Sequence, residues 1–298
     1  MRLAGRFFQG LVLVWGLAPA AVCGAEHLPG RPDWDARLSL SAHAGDLAAV
    51  DEAIAQGARV NPPAGKGLTF SPLMWAAREG HIAVMKRLLE VGADVDFRNG
   101  VGGSALLQAA GEGKTEAALL LLTAHADPNA RDDHGWTPVY LAAHEGDSVT
   151  LRALIQAHAN VNPRSDNQRT PLMEAVSHGA EYSVKLLLGA GAAANAADDF
   201  GYTALHLAAQ SHRPQVVAAL LKAGANPNMA AQNGMTPLMI ASREGDATMV
   251  RALLTAKAGA NAKLATSVRN WGGKSALFIA ADKGHKDVVQ ILTAAGAK

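Results

Sequence analysis

A period of 33 residues constrains this chain more than any other feature of its sequence. A Ser or Thr followed by a proline or alanine and then by an apolar residue recurs at Ser71-Pro72-Leu73, Ser104-Ala105-Leu106, Thr137-Pro138-Val139, Thr170-Pro171-Leu172, Thr203-Ala204-Leu205, Thr236-Pro237-Leu238 and Ser275-Ala276-Leu277. The first six starts are 33 residues apart, and the seventh follows after 39. A fixed period of this length predicts a repeat architecture, in which each unit buries its apolar face only against its neighbours.

Two further residue types follow the same period. A glycine stands nine residues after the Ser or Thr in six of the units, at Gly80, Gly113, Gly146, Gly179, Gly245 and Gly284. An asparagine recurs at Asn129, Asn162, Asn195, Asn228 and Asn261, with Asp96 at the preceding place. In the one remaining unit His212 replaces the glycine, so we expect an altered turn there.

The residues of each unit predict two short helices and an extended loop. Ser or Thr caps a first, inner helix, proline occupies its first position, and the glycine ends it. The second, outer helix has one apolar face, as at Val216, Val217 and Leu220. A turn such as residues 224–226 follows the outer helix. It leads into a loop, represented by residues 198–201 in the preceding repeat, and this loop leads to the next cap. We call these loops the fingers.

The nearest complete copy of the unit is Thr203-Ala204-Leu205-His206-Leu207-Ala208-Ala209, and this pattern resembles the ankyrin repeat. The resemblance covers residues 66–298 as seven units, and a degenerate eighth begins near Asp35. It implies an all-α repeat solenoid over 35–298, in which stacked helix-turn-helix units are joined by β-hairpin-like finger loops. The last unit is expected to be a C-terminal cap, and 26–34 is a short lead.

The N-terminus predicts export. Arg2 and Arg6 precede an apolar stretch over 7–22, and small residues follow, so we expect a secretory signal peptide over 1–25 with cleavage after Ala25. The predicted location is the periplasm or the exterior of the cell. Two alternatives stay open, a lipid anchor on Cys23 and an uncleaved N-terminal anchor. Cys23 is the one cysteine of the sequence, so cleavage would leave a chain that forms no disulfide.

The charge balance says which partners to expect. Lys and Arg number 27 and Asp and Glu number 26, which gives no long-range attraction to nucleic acid or to an anionic membrane. We therefore predict that the chain binds no nucleic acid and does not insert into a membrane after signal removal. The predicted partner is another protein, and the predicted oligomeric state is a monomer.

Fragments of catalytic and metal-binding motifs do not meet their requirements. The segment 113–115 ends like a phosphate-binding loop but lacks the first glycine, and His144-Glu145 begins like a zinc-protease helix but has Ser148 at the second ligand position. His125 and His158 occupy equivalent sites in repeats about 10 Å apart, too far for one zinc ion. The sequence predicts no enzyme, no cofactor and no metal site, with a metal or small-ligand site or an enzyme near His144 as the alternative.

Candidate binding residues lie in two places. Aromatic residues fall in the fingers, which the resemblance implies project from the stack, at Phe70, Trp136, Phe200, Tyr202 and Trp271. Charged residues at the ends of the inner helices form a column that the resemblance places in a concave groove, at Arg78, Glu79, Glu112, His144, Glu145, Arg243 and Glu244. The longer last finger adds Arg269.

Large aromatic side chains are the usual anchors of protein interfaces. These residues therefore predict a non-enzymatic, exported binding or adaptor protein that holds another protein. An envelope-tethered structural role is the alternative.

Overall fold

The computed structural model describes residues 33–63, 69–268 and 272–298. The chain divides into two compact units, Met1–Asp133 and His134–Lys298. The predicted signal peptide over 1–25, its cleavage after Ala25 and nearly all of the lead over 26–34 lie outside the described residues, as do Arg269 and Trp271.

The described part of the first unit contains three helix pairs. They are α1 Trp34–Ala44 with α2 Leu47–Ala55, α3 Pro72–Glu79 with α4 Ile82–Glu90, and α5 Ala105–Gly111 with α6 Thr115–Thr123. The first pair lies where the degenerate repeat is expected, near Asp35.

The second unit contains five helix pairs in its described residues. They are α7 Pro138–Glu145 with α8 Ser148–Gln156, α9 Pro171–Ser177 with α10 Glu181–Gly189, α11 Ala204–Gln210 with α12 Pro214–Lys222, α13 Pro237–Glu244 with α14 Ala247–Thr255, and α15 Ala276–Asp282 with α16 Lys286–Ala294. None of the described helices is both long and apolar enough to cross a membrane.

The predicted caps set the start and the end of the inner helices. Ser71 Oγ accepts a hydrogen bond from Met74 N at 3.2 Å, and Thr137 Oγ1 accepts one from Tyr140 N at 3.3 Å. At the other end Gly80 adopts a φ of 83°, a left-handed conformation that favours glycine. His212 adopts a φ of 53° at the corresponding position, so it keeps the left-handed conformation of the glycine that it replaces. The next residue, Arg213, has a φ of −117°, whereas its equivalent His81 has −79°, so this turn differs in part from the others.

Within each of the two compact units, the inner helices of successive repeats pack on one another, and so do the outer helices. In the first unit α3 contacts α1 and α5, and in the second unit α9 contacts α7 and α11. The inner helices contribute completely buried alanines, such as Ala76, Ala142 and Ala208. Small side chains let short helices pack closely, and the predicted all-α repeat solenoid is confirmed as the fold class.

The asparagine ladder joins one repeat to the next. Asn195 Nδ2 donates to Gly224 O at 2.9 Å, and Asn195 Oδ1 accepts from Asn226 N at 2.7 Å. Asn228 bonds in the same way to Lys257 O and Gly259 N. One side chain therefore satisfies two backbone groups in the turn that ends the following outer helix.

Candidate functional site

The finger aromatics differ in exposure. Phe70 is only 8% exposed, and its ring lies 4.6 Å from the ring of Trp75 in α3. The expectation that Phe70 projects from the stack is therefore wrong, because its ring finds an apolar neighbour in the helix that it precedes.

Trp136 and Tyr202 are half-buried. Trp136 stacks on Tyr140 of α7 with an interplanar angle of 12°, and Tyr202 lies edge-on to His206 of α11 at 5.3 Å. Each aromatic residue thus covers the inner helix that follows it and also presents an edge to solvent. Trp271 belongs to the residues that the structure does not describe.

Phe200 is 60% exposed and lies at the tip of a tightly bonded finger. Asp198 Oδ1 accepts hydrogen bonds from Phe200 N at 3.0 Å and from Tyr202 N at 2.8 Å. The next finger donates from Gln232 N to Phe200 O at 2.9 Å. These bonds hold the backbone of Phe200 on both sides, so its ring projects from an ordered loop.

Gly201 makes this finger geometry possible. Its φ is 79°, and a Cβ atom at this position would lie 2.9 Å from Gln232 N. Only glycine combines the left-handed backbone with so close an approach of the next finger.

The charged column is made of ion pairs. In the first unit Arg78 Nε lies 3.9 Å from Glu79 Oε1 and 3.5 Å from Glu112 Oε1. In the second unit Arg243 Nη2 lies 2.7 Å from Glu244 Oε1, and His144 Nδ1 lies 2.8 Å from Glu145 Oε1. Glu79, Glu112 and Glu244 each have an arginine beside them, which compensates part of the column's charge, and Glu145 accepts a hydrogen bond from His144 Nδ1.

A buried polar cluster between α7 and α9 was missed by the sequence analysis. Glu174 is 3% exposed, at a position of the inner helix where Leu141 and Leu207 stand in the adjacent repeats. Its Oε1 accepts hydrogen bonds from Tyr140 OH, at 2.8 Å, and from Arg169 Nε. A lone carboxylate within the apolar run of residues 171–176 was the sequence signal that could have revealed this cluster.

The cluster shifts the pKa values of two of its members. Burial raises the pKa of the Tyr140 hydroxyl, and the negative charge of Glu174 raises it further, so Tyr140 stays protonated and donates to the carboxylate. Burial lowers the pKa of Arg169, but the charge and hydrogen bond of Glu174 outweigh that effect and leave it above its ordinary value. Glu174 is therefore a buried carboxylate whose charge is balanced by Arg169, whose own side chain is 25% exposed.

Two histidines meet beside Glu174. His144 ends α7 and His178 follows α9, and their ring centroids are 4.0 Å apart. His144, Glu174 and His178 can each offer one ligand atom to a metal ion, and these atoms lie within 4.8 Å of one another. Of these three residues the sequence analysis considered only His144, and it missed the group because it compared only histidines at equivalent positions.

Family models match most of the repeat region. A model described as ankyrin repeats (3 copies) matches residues 106–198, 151–231, 182–266 and 205–298, and a model described as ankyrin repeat matches 70–100. Together these matches cover more than half of the chain. The chain belongs to the ankyrin repeat family. Ankyrin repeats are generally protein–protein interaction modules, and the family is typically non-enzymatic. The comparison with curated proteins found no match.

His206 shows how the repeat closest to the ankyrin pattern uses its histidine. His206 Nδ1 accepts a hydrogen bond from Thr203 N at 3.1 Å, and Nε2 bonds to Met235 O at 3.1 Å in the next repeat. The side chain is completely buried, and this burial lowers its pKa. A neutral imidazole is what the geometry needs, because one nitrogen accepts while the other donates.

Proposed function

We propose that this ankyrin repeat protein is an exported, bacterial periplasmic binding protein that holds another protein against its fingers and its inner-helix ends. The observation that carries the proposal is Phe200, a large apolar side chain that is 60% exposed on an ordered finger. An aromatic ring that is this exposed does not contribute to the core of its own repeat. Aromatic side chains of this kind are enriched at the centres of protein interfaces.

The bonds within the finger support binding by a preformed surface. Asp198 and Gln232 hold the backbone around Phe200 before any partner arrives. A loop that is already ordered loses little conformational entropy on binding, so more of the contact energy remains as affinity. The adjacent half-buried Tyr202 widens the apolar surface at the same finger.

The ion pairs at the inner-helix ends support a polar rim for this surface. Arg243 and Glu244 are each about 30% exposed and lie in contact with each other. Compensated charges of this kind set orientation and specificity more than affinity. The proposed partner is therefore a protein with an apolar anchor site and mixed charges around it.

The binding surface can be tested by substitution of Phe200. Proteins from the exported fraction are captured on the full mature chain and identified, and the affinity of the recovered partner is measured for Phe200→Ala. We expect a loss of binding energy of about 2 kcal/mol, the usual threshold of an interface anchor. The double variant Trp136→Ala with Tyr202→Ala tests the neighbouring fingers.

Tyr182 offers the matched control. Its side chain is also aromatic and 51% exposed, but it lies on the outer helix α10. Tyr182→Ala is expected to bind the partner normally. Equal losses in Phe200→Ala and Tyr182→Ala, or unchanged affinity in Phe200→Ala with the fold intact, would place the interface elsewhere.

Export is proposed from the basic start and apolar stretch of residues 1–25. The intact mass of the mature protein tests it. A mass that corresponds to a free Glu26 N-terminus supports cleavage after Ala25. A mass increased by a lipid on Cys23, or an uncleaved chain, would instead support tethering to the envelope.

A further inference from the structure

We propose that His144, Glu174 and His178 form a binding site for a divalent transition-metal ion of the zinc class. This inference goes beyond protein binding and does not depend on the proposed partner surface. The donor set is two imidazole nitrogens and one carboxylate oxygen, contributed by two successive repeats of the second unit.

The distances are close to those that a metal ion requires. Zinc binds histidine nitrogen and carboxylate oxygen at about 2.0–2.2 Å, so two of its ligand atoms lie at most about 4 Å apart. The three candidate atoms lie within 4.8 Å of one another. A movement of less than about 1 Å by each ligand atom, through rotation of its side chain, is therefore enough to close the site around an ion.

Each candidate ligand is already oriented by a further group. His144 Nδ1 bonds to Glu145 Oε1 at 2.8 Å, and His178 Nδ1 bonds to the backbone oxygen of Glu174 at 3.0 Å. These bonds place the proton on Nδ1 of both rings and the lone pair on Nε2. A metal-binding histidine commonly donates its other ring nitrogen to a carboxylate or a carbonyl in this way.

Glu174 is oriented most firmly. Tyr140 and Arg169 both donate to its Oε1, and the second Arg169 contact, from Nη2 to Ser177 Oγ at 2.9 Å, holds the guanidinium in place. The other oxygen, Oε2, lies 3.8 Å from Nδ1 of the His178 ring. The carboxylate can thus use one oxygen for its ion pair with Arg169 and the other for a metal ion.

The residue types select the class of ion. Calcium and magnesium prefer sites made entirely of oxygen atoms, whereas imidazole favours zinc, copper, nickel and cobalt. Two histidines with one glutamate are a known zinc ligand set, which leaves a fourth position for water or another ligand. His178 is 40% exposed, so the site can be reached from solvent.

The first experiment measures zinc binding by the full chain. The protein is purified without a histidine tag, stripped of metal with a chelator and titrated with zinc chloride in a calorimeter. We expect one zinc ion per chain, and the visible spectrum of the Co²⁺ form is expected to show four-coordinate metal. The absence of stoichiometric zinc binding by the folded chain would overturn the proposal.

Substitutions assign the site to its residues. His144→Gln and His178→Gln are each expected to abolish stoichiometric binding, and Glu145→Gln is expected to weaken it by about 10-fold, the effect of losing an orienting group. His158→Asn is the matched control, because His158 is an exposed histidine of the same unit and asparagine tolerates its φ of 59°. Wild-type affinity in a folded double variant of His144 and His178 would contradict the assignment.

A footprinting experiment works without any variant. Diethyl pyrocarbonate modifies exposed histidines, and peptide mass spectrometry reports the modification at each position. Zinc is expected to protect His178, while His158 in the same sample remains reactive. Equal protection of both histidines, or no protection of either, would contradict the proposed site.

Discussion

Arginine and glutamate form ion pairs in both units of the molecule, but the pairs differ in burial. In the first unit Arg78 lies between Glu79 and Glu112, whose side chains are 35% and 36% exposed. In the second unit Arg169 pairs with Glu174, whose side chain is 4% exposed. The two arginines are similar, at 17% for Arg78 and 25% for Arg169, so the difference lies in the glutamates. The same two residue types therefore place partly exposed carboxylates in one region and a buried carboxylate in the other.

This difference teaches that burial, and not residue type, determines how much such a pair contributes to the free energy of unfolding. An exposed pair contributes about 0–1 kcal/mol, because water screens its charges. A buried carboxylate must keep its partners, because an uncompensated charge in the core costs several kcal/mol. Glu174 accordingly has Tyr140 and Arg169 on one oxygen, whereas Glu112 faces Arg78 at 3.5 Å.

The largest expected effect tests the buried pair. Arg169→Ala removes the charge beside Glu174 and is expected to lower the free energy of unfolding by about 3 kcal/mol, the cost of breaking a buried ion pair. Arg243→Ala removes the arginine of a surface pair in the same unit and is expected to cost less than about 1 kcal/mol. Urea denaturation followed by circular dichroism measures both values.

A double variant sharpens this result. Arg169→Ala combined with Glu174→Leu places leucine where Leu141 and Leu207 stand in adjacent repeats. Because no buried charge remains, we expect this double variant to be more stable than Arg169→Ala alone. A double variant that is less stable than Arg169→Ala would show that the burial of Glu174 does not explain the loss.

His206 extends the comparison to a buried histidine and to pH. Burial lowers its pKa in the folded protein, so below the ordinary histidine pKa of about 6.5 the unfolded chain binds more protons. This contribution to stability is fully present above about pH 6.5 and is lost as the pH falls through the folded-state pKa. Urea denaturation at a series of pH values measures the slope of the free energy of unfolding against pH.

His206→Leu is expected to reduce that slope and to cost about 1–3 kcal/mol at neutral pH, because Thr203 N and Met235 O lose their partner. His158→Asn removes an exposed histidine and is expected to leave the slope unchanged. A slope that is identical in wild type and His206→Leu would mean that the burial of His206 does not shift its protonation.

The smallest effect is expected in the surface column of the first unit. Glu112→Gln removes the charge 3.5 Å from Arg78 and is expected to change stability by less than about 1 kcal/mol. At about 1 M salt the Debye length falls to about 3 Å, so the remaining difference is expected to vanish. A loss as large as that of Arg169→Ala, or one that salt does not reduce, would contradict the distinction between the two regions.

Much of the fold could be predicted because it repeats. The Ser and Thr caps, the glycine turns and the apolar outer helices each depend on local interactions that recur every 33 residues. The structure confirms the helix pairs, with Ser71 and Thr137 as caps and Gly80 at a left-handed turn. His212 adopts the left-handed conformation without being glycine, because a left-handed turn excludes no residue type and only makes some less favourable.

The candidate site could be predicted only in part. The column follows from the period, since adjacent repeats place the equivalent residues Glu79 and Glu112 side by side, and Arg78, next to Glu79 in the sequence, pairs with both. Phe70 was expected to project because it lies in a finger, but its ring turns inward onto Trp75. The direction in which a finger side chain points depends on the neighbouring helix, and no periodic pattern contains that information.

The sequence by itself determined the repeat, its caps and turns, and the family, because each of these depends on interactions within about one period. Only the tertiary structure decided that His144 meets His178 and that Glu174 lies buried between Arg169 and Tyr140. Tyr140 and His144 belong to one repeat and Glu174 and His178 to the next, at positions that are not equivalent. Their contact depends on how successive inner helices pack against each other. The spacing of residues along the chain does not specify the distances that this packing creates.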